Sequence, residues 1–461
     1  MRKILSKVII VLLICSGILQ ARQVQKPNIR YASIHARESA EWVKDAVIYE
    51  VYLRSFSKEG TLKALEARVP ELQKLGVTVV WLMPIHPVGI KNRKGTLGSP
   101  YSVQDYYGIN PEFGTLEDFQ SLVNTIHRLR LKIVIDLVAN HTAWDNPMIK
   151  EHPDWYTHDT NGTIVSPNPD WTDVADLNYD QAGLRKYMIT MMKYWVRTIG
   201  IDGFRCDVAE LVPTDFWESA RKELDAIKPV MMLSEGTIPE HHIDAFDLTY
   251  SWNVYNVLEN VIKGSTPATI FGELLKSELD QYPRNSLRLR FNTNHDKNAW
   301  DAPAVEKFGP QGAKATAVLA FTFPGVPLIY NGEEVGNAKK LSLFEKVDID
   351  WSKGKDFREF YETLSLLRRE HPALRHGTYV SISNSENASI YTCIRTEGKD
   401  SVLVVINFGS VPVKANLQFP VNSISRWKEY FTGMNILMTK GQVEVQLSPC
   451  GFAVLSPLTK N

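Results

Sequence analysis

The sequence predicts an α/β protein with a (β/α)8 TIM barrel, followed by a C-terminal antiparallel β-sandwich domain. Eight runs rich in apolar and β-branched residues lie between positions 46 and 334, and several are continuous, as in strands buried on both faces. Helix-like stretches such as Leu62–Leu75, Leu116–Leu129 and Leu184–Ile199 separate them, which indicates βα units. Beyond position 375 short alternating runs predict a separate β domain over residues 376–461.

The barrel prediction covers residues 42–375. Its eight strand candidates are Ala46–Phe56, Thr78–Ile85, Lys132–His141, Ile201–Ala209, Pro229–Gly236, Ala245–Trp252, Leu287–Asp296 and Val326–Glu334. An open doubly wound sheet is the alternative, but no Gly-rich phosphate fingerprint follows the first run. Residues 141–180 are too many for a plain βα loop, so we expect a short excursion after the third strand.

The first 21 residues are typical of a secretory signal peptide. A basic start, Met1–Lys7, precedes the mostly apolar run Val8–Leu19, and cleavage is expected near Ala21. That run is shorter than the roughly 20 residues of a spanning helix, so no integral membrane segment is predicted after cleavage. We expect an exported protein, periplasmic or extracellular, and Cys15 leaves a lipid-anchored form open.

The charge composition argues against polyelectrolyte partners. Lys plus Arg and Asp plus Glu both number 52, and loss of the basic signal peptide leaves a net charge of −3, from 49 against 52. No bulk attraction to nucleic acid or to an anionic membrane is therefore expected. The 11 Trp, 18 Tyr and 18 Phe offer flat faces that suit sugar rings, although most belong in a core. Oligomeric state is not predicted.

Three acids stand at the ends of predicted strands: Asp207, Glu235 and Asp296. Active sites of barrels lie at the carboxyl ends of their strands, so these acids can converge on one pocket. A pair of carboxyl groups can cleave a sugar acetal, one as proton donor and one in the ionised form. Arg205 shares a strand face with Asp207 and can keep it ionised. Each acid alone would fit a structural ion pair equally well.

The segments around these acids carry the specific signal. They are Asp136-Leu-Val-Ala-Asn-His141, Gly203-Phe-Arg-Cys-Asp207, Leu233-Ser-Glu235 and Phe291-Asn-Thr-Asn-His-Asp296, with support from Ser99–Tyr106, Pro111–Thr115, Asp176–Asn178 and Gly325–Glu334. With these motifs in this order, the chain resembles the α-amylase family of glycoside hydrolases (family thirteen) from about Val47 to the C-terminus.

The resemblance implies a retaining mechanism with a covalent glycosyl-enzyme. Asp207 would be the nucleophile, Glu235 the acid and base, and Asp296 the residue that binds sugar hydroxyls and favours the distorted ring. Glu240 is a nearby competitor for the acid role, but it lies in the loop beyond the strand run.

The same resemblance implies four substrate-binding residues. Arg205 would hold the nucleophile ionised, and His141 and His295 would donate hydrogen bonds to sugar hydroxyls. Tyr101 would stack under the sugar at the cleavage point.

The expected substrate is a starch-type α-glucan or maltooligosaccharide, cleaved mainly at α-1,4 bonds. Gly98, three residues before Tyr101, replaces an acid of the oligo-glucosidase branch and favours an open cleft with internal cleavage. Val208 and Asp176-Leu-Asn178 resemble branches that act on maltooligosaccharides, cyclodextrins or pullulan. A cyclomaltodextrinase or neopullulanase, an oligo-α-glucosidase and an α-glucan transglycosylase therefore remain alternatives. A non-catalytic barrel that serves as a partner domain would be expected to lack part of the acid triplet.

No metal ligand and no required cofactor are predicted. Many α-amylases have Lys-His shortly after the nucleophile, where the His carbonyl binds calcium, whereas this chain has Glu210-Leu211. Ser55–Gly60 lacks the Asp-rich calcium loop of the oligo-glucosidase branch. Asn140 and Asp176 offer two candidate ligands, fewer than the six to eight oxygens of a calcium shell. Structural calcium is therefore left open as an alternative that the motif does not support.

Overall fold

A computed structural model describes residues 30–419, 426–438 and 441–458, and the predicted signal peptide lies outside them. Eight parallel strands close a barrel in chain order, with the first strand paired to the last. They are β1 (Ile48–Val51), β2 (Val79–Leu82), β3 (Lys132–Leu137), β4 (Gly203–Cys206), β5 (Met231–Ser234), β6 (Leu248–Tyr250), β7 (Leu287–Arg290) and β8 (Val326–Tyr330). Each predicted run contains one strand, so the barrel prediction is confirmed.

Helices surround the barrel and alternate with the strands. The longer ones are α1 (Leu62–Leu75), α2 (Leu116–Arg128), α3 (Ala182–Tyr194), α4 (Thr214–Asp225), α5 (Trp252–Ile262), α6 (Ile270–Gln281), α7 (Ala304–Thr322) and α8 (Lys355–Glu370). Shorter helices and helical turns are Tyr31–Ser33, Glu41–Lys44, Leu53–Phe56, Met148–Glu151, Pro153–Trp155, Trp195–Ile199, Ala209–Leu211, His241–Asp244, Lys297–Asp301, Glu333–Val335 and Pro372–His376. No helix in the described part of the chain is long and apolar enough to cross a membrane.

Local sequence explains where the predicted helices begin. The Thr61 hydroxyl accepts a hydrogen bond from the Ala64 N–H and starts α1. Thr115 and Asp118 form a reciprocal capping box at the start of α2. The first residue of β4 must be glycine, because a Cβ on Gly203 would lie 1.9 Å from the Met231 carbonyl oxygen of β5. This close approach brings the residues that follow β4 and β5 together.

The excursion after β3 is built on a small antiparallel sheet. His141–Ala143 pairs with Val174–Asp176, and His141 lies opposite Asp176. The Trp144 indole N–H donates a hydrogen bond of 2.9 Å to the Thr172 carbonyl, which connects the two ends of the excursion. The sheet places His141 just beyond the carboxyl end of β3, beside the mouth of the barrel.

The C-terminal region is an antiparallel β-sandwich, as predicted. Its strands are β9 (Thr378–Ser381), β10 (Ile390–Glu397), β11 (Asp400–Asn407), β12 (Val413–Gln418), β13 (Arg426–Glu429), β14 (Asn435–Leu437), β15 (Gln442–Leu447) and β16 (Phe452–Pro457). Sheet β9-β10-β11-β16-β13-β14 faces the pair β12-β15. Alternate side chains of β15 are buried between the two sheets, where Trp427 and Leu403 also pack. Arg395 joins the domain to the barrel by donating to the Thr322 carbonyl at 2.8 Å.

Candidate active site

A single buried guanidinium organises the carboxyl ends of the barrel strands. Asp136 of β3 and Arg205 of β4 are direct neighbours in the sheet register, so both side chains point the same way. Arg205 Nη1 donates to both carboxylate oxygens of Asp136, at 2.8 and 3.0 Å, and to Asp207 Oδ1 at 3.0 Å. Its Nη2 lies 2.7 Å from Glu235 Oε2. Three carboxylates therefore share one cation.

Aromatic rings enclose this cation. The Arg205 guanidinium carbon lies 5.3 Å from the Trp81 ring centroid and 5.8 Å from those of Tyr101 and Tyr250. Burial by itself would lower the pKa of Arg205, but Asp136 and Glu235 outweigh it and raise that pKa well above its ordinary value. Arg205 is therefore a permanent positive charge at the base of the site.

The backbone after β4 brings Asp207 and Glu235 into position. The Asp207 N–H donates to the Leu137 carbonyl at 2.9 Å, which continues the barrel ladder by one residue. The Val208 N–H donates to Glu235 Oε2 at 2.8 Å. Val208 has a φ of 35°, a left-handed conformation that is costly for a β-branched residue and typical of functional sites. The strain turns an amide donor toward Glu235.

A second cluster surrounds His295. Its Nδ1 pairs with Glu50, and its Nε2 lies 2.8 Å from the Tyr101 hydroxyl and 3.5 Å from Asp296 Oδ2. The Tyr101 hydroxyl also donates to Asp136 at 3.2 Å, which links the two clusters. Although burial opposes the charged form, Asp296 and Glu50 raise the pKa of His295 to about 9. The imidazolium is therefore the ordinary form of His295 near neutral pH.

His141 lies at the edge of this network. Its Nδ1 lies 3.3 Å from the Asn140 side-chain amide nitrogen, and its ring stands 5.4 Å, centroid to centroid, from Trp171 of the excursion. Burial lowers the pKa of His141 to about 4, so this histidine is neutral where His295 is charged. The structure thus brings all seven predicted site residues to the same end of the barrel. Glu240 precedes the short helix His241–Asp244, whereas Glu235 contacts Arg205, so the geometry favours Glu235.

The charges of the site do not balance. Two cations, Arg205 and His295, face five carboxyl groups: Glu50, Asp136, Asp207, Glu235 and Asp296. Burial raises the pKa of Asp207 well above its usual range, and it raises that of Asp136 to about 6 despite Arg205. Like charges at this density disfavour full ionisation, so the cluster favours a proton on one of its carboxyl groups. The site can therefore supply both a proton donor and an ionised carboxylate.

Two members of this network were not predicted from sequence as site residues. Asp136 is the first residue of a quoted motif, and Glu50 lies in the middle of the first strand. Both have fully buried side chains on barrel strands. An acid inside an otherwise apolar strand is the signal that could have found them, because burial without a partner is too costly to be tolerated.

The side chains around the site were compared with the ligand clusters of metal sites. Within the described ranges no group of three or more His, Cys, Asp or Glu side chains is arranged to hold a metal ion. Glu210, which stands where many α-amylases have lysine, instead accepts hydrogen bonds from the Thr237 N–H and, at 3.0 Å, from its hydroxyl. This carboxylate braces the loop that follows Glu235.

Comparison with known families agrees with the motifs. The profile described as alpha amylase, catalytic domain matches residues 50–388. The chain belongs to the alpha-amylase family. The match begins at Glu50 of β1 and ends in the β-sandwich, so it includes every residue of the site described above.

Individual relatives within the alpha-amylase family are distant. Alpha-amylase MalA of Haloarcula japonica is 27% identical over 400 residues, and the alignment covers 82% of this chain but only 58% of that protein. Neopullulanase 2 of Thermoactinomyces vulgaris is 26% identical, with 91% of this chain and 79% of that protein covered. Among solved structures, a noncanonic maltogenic alpha-amylase AmyB from Thermotoga neapolitana has a TM-score of 0.84 and 31% identity, and covers 91% of this chain and 100% of its own.

Proposed function

We propose that the protein is a retaining glycoside hydrolase that cleaves α-glucosidic bonds, mainly α-1,4, of starch-type glucans or maltooligosaccharides. The observation that carries this proposal is the contact of Asp207 and Glu235 with one guanidinium, that of Arg205. Retaining glycosidases use a closely spaced carboxyl pair, since one member must reach the anomeric carbon directly. Membership of the alpha-amylase family supports the substrate class.

In the first step Asp207 attacks the anomeric carbon and the glycosidic C–O bond breaks. The leaving oxygen takes the proton of Glu235, so Glu235 becomes a carboxylate as the glycosyl-enzyme ester forms. The step needs Asp207 in the ionised form, which Arg205 favours at 3.0 Å, whereas burial opposes it and raises the pKa of this group. Loss of the proton from Glu235 adds negative charge beside Arg205, 2.7 Å away, which stabilises the product of the step.

In the second step the same carboxylate removes a proton from water. The hydroxide attacks the anomeric carbon, the ester bond to Asp207 breaks, and Glu235 is again protonated. The sugar at the cleavage point would stack on Tyr101, with Asp296 and the protonated His295 on its hydroxyl groups. Neutral His141 would donate a further hydrogen bond from the excursion side.

The loop before Tyr101 supports internal cleavage of the glucan chain. Gly98 has a φ of +76°, and a Cβ there would lie 2.8 Å from Val88 Cγ1 and 2.9 Å from Arg93 Cγ. A side chain at this position would be strained, and the acid of the oligo-glucosidase branch is absent here. Because some relatives are named cyclomaltodextrinase and neopullulanase, those two activities are alternatives for this chain. Oligo-α-glucosidase and transglycosylase activities are further alternatives. Chromatography of early products from amylose, pullulan, cyclodextrin and isomaltose separates them.

The Glu235→Gln variant tests the proposed function. Gln keeps the shape and can still accept from the Val208 N–H, but it cannot donate a proton to the leaving oxygen. We expect loss of hydrolysis of unactivated glucan with an unchanged circular dichroism spectrum and melting temperature. Near-normal turnover of amylose by this variant would refute the acid role. The matched variant Glu240→Gln should retain activity.

We further propose that the protein is exported to the periplasm or the medium. The support is the basic start followed by a 12-residue, mostly apolar run within residues 1–21. Edman sequencing of the exported protein should find an N-terminus near position 22. A retained Met1, or acylation of Cys15, would contradict cleavage at that point.

A further inference from the structure

Trp300 is the most conspicuous aromatic side chain at the mouth of the barrel. It is 63% exposed, whereas the large majority of tryptophans in the described chain are half-buried or buried. It lies on the helical turn Lys297–Asp301, which begins directly after Asp296. Trp300 therefore lies four residues beyond Asp296, on the segment that leaves the site at the carboxyl end of β7.

The ring of Trp300 is supported from behind. It packs edge-on against Phe344 of the β8–α8 segment, with centroids 5.7 Å apart and planes at 63°. The Leu97 N–H donates to the Phe344 carbonyl at 3.1 Å, and the Leu341 N–H donates to Asn298 Oδ1 at 2.7 Å. These hydrogen bonds join three segments, at the carboxyl ends of β2, β7 and β8, next to the exposed indole of Trp300.

The same support reaches Tyr101. Phe344, Ala299 and Tyr101 all pack against one apolar group, the rim cluster. The rim cluster consists of Tyr52, Met83, Tyr330, Val335, Leu341, Leu343 and Ile349. Trp300 is therefore connected through packed side chains to the ring that would hold the sugar at the cleavage point.

We propose that Trp300 is a stacking platform for a glucosyl unit of the substrate chain, on the Tyr101 side of the cleavage point. This inference rests on the proposed function, because it assigns a further sugar position to the same cleft. A single exposed apolar residue is ordinary, but a large ring held rigid beside an acidic, polar cleft loses little conformational freedom when a ligand covers it. The C–H face of a glucose ring matches the flat indole, while its hydroxyl groups stay in water.

The test uses 4-nitrophenyl α-maltooligosaccharides of increasing length, with Trp300→Ala and Trp300→Phe. The aryl group occupies the leaving-group side, so each added sugar extends along the Tyr101 side. For the alanine variant we expect kcat/KM on the longer substrates to fall about three- to tenfold, the size of one aromatic contact, with no loss on the aryl glucoside. Trp300→Phe should lose less. The control Leu279→Ala, where the side chain is 67% exposed on α6, should match the parent enzyme.

A binding measurement separates this inference from the proposed function. Calorimetry with maltohexaose is done on Glu235→Gln and on the double variant with Trp300→Ala. A weaker affinity in the double variant supports the platform even if the parent enzyme cleaves no glucan, which would refute only the proposed function. Hydrolysis by the parent enzyme with a length-independent or absent Trp300 effect overturns the platform alone. No maltohexaose binding to Glu235→Gln also overturns it.

Discussion

Two aspartates at opposite ends of β4 have opposite surroundings. Asp202 precedes the strand and lies 2.7 Å from His127, 3.3 Å from Lys132 and 3.2 Å from Lys228. Although burial opposes ionisation, these partners lower the pKa of Asp202 to about 2. Asp207 follows the strand and shares Arg205 with two other carboxyl groups, and burial raises its pKa well above the usual range.

The difference indicates that the two ends of the barrel strands have different roles. At the amino end of β4 the buried acid is surrounded by cations, which stabilises the folded chain. At the carboxyl end acids outnumber cations, which disfavours full ionisation of the carboxyl groups. Barrels in general keep stability at the first end and chemistry at the second. The same residue type, five positions apart, thus serves two purposes according to the end of the strand.

The largest effect should come from Asp207→Asn. Without the nucleophile no glycosyl-enzyme forms, and we expect kcat on amylose to fall on the order of 10⁴-fold or more. Since the change also removes a carboxylate whose ionisation burial disfavours, the melting temperature should stay the same or rise. Steady-state assays measure kcat, and thermal unfolding measures the melting temperature. A drop of several degrees in the melting temperature would mean that Asp207 is structural like Asp202, and the comparison would fail.

Asp202→Asn should show the reverse pattern. With a folded pKa of about 2 against 3.8, the carboxylate contributes about 2 kcal/mol at neutral pH. Because its folded pKa is lowered, this contribution is present above pH 4 and is lost as the pH falls toward 2. We expect the denaturation midpoint to drop at pH 7 and the difference from the parent protein to shrink below pH 4, with kcat/KM nearly unchanged.

Asp215→Asn is the matched control for Asp202→Asn. It removes a largely exposed ion pair with Arg185, and it should cost less than about 1 kcal/mol. A large loss of activity in Asp202→Asn without loss of stability would contradict the division between the two ends.

The pH profile of a Glu50→Gln variant tests the charge of His295. Because the pKa of His295 is raised to about 9, its cation stabilises the fold fully below pH 6.5, and this contribution is lost as the pH rises through 9. Activity should fall over the same range. The introduced amide can still pair with His295 Nδ1 but carries no charge, so the alkaline limb of kcat/KM should move about one unit lower. An unshifted limb would show that another group sets it.

The fold was predictable because apolar runs of barrel strands are nearly continuous and alternate with amphipathic helices. The exact ends of the strands within these runs were less predictable. The first run, Ala46–Phe56, contains β1 and then a helical turn, Leu53–Phe56. The third run extends to His141, but β3 ends at Leu137 and His141 begins the excursion sheet. The pattern of apolar residues indicates which segments are buried, but it does not indicate where a buried segment changes direction.

The site was predictable where its residues stand in motifs. Asp207, Glu235 and Asp296 follow their strands in the expected order. Glu50 and Trp300 depend on contacts with residues distant in the chain, namely His295 and Phe344. Such contacts arise from barrel closure and from the packing of loops on one another. The local pattern marks Glu50 as an acid in an apolar strand but does not identify His295 as its partner, and it holds no signal for the packing of Trp300 on Phe344.

The smallest effect should come from Glu210→Gln. The Glu210 carboxylate accepts from the Thr237 N–H and hydroxyl, and the Tyr282 hydroxyl donates to the Thr237 carbonyl on the other side. These three hydrogen bonds hold the loop directly after Glu235. We therefore expect Glu210 to act as a positioning residue for Glu235, through the loop and without contact with the substrate bond. Weakening one such contact by about 1 kcal/mol predicts a kcat on amylose that is lower by roughly fivefold.

A comparison of leaving groups distinguishes this role from general support of the fold. A 4-nitrophenyl leaving group needs little protonation, so Glu210→Gln should slow aryl maltoside cleavage less than amylose cleavage. The control Glu223→Gln, on α4, removes a surface ion pair with Lys193 of α3 and should change neither rate. Equal losses on both substrates would mean that Glu210 supports the barrel mouth as a whole. Unequal losses would extend the comparison between the two ends of β4 to Glu210. They would mean that, at the carboxyl end, an acid that only forms hydrogen bonds to a loop also helps to position the proton donor.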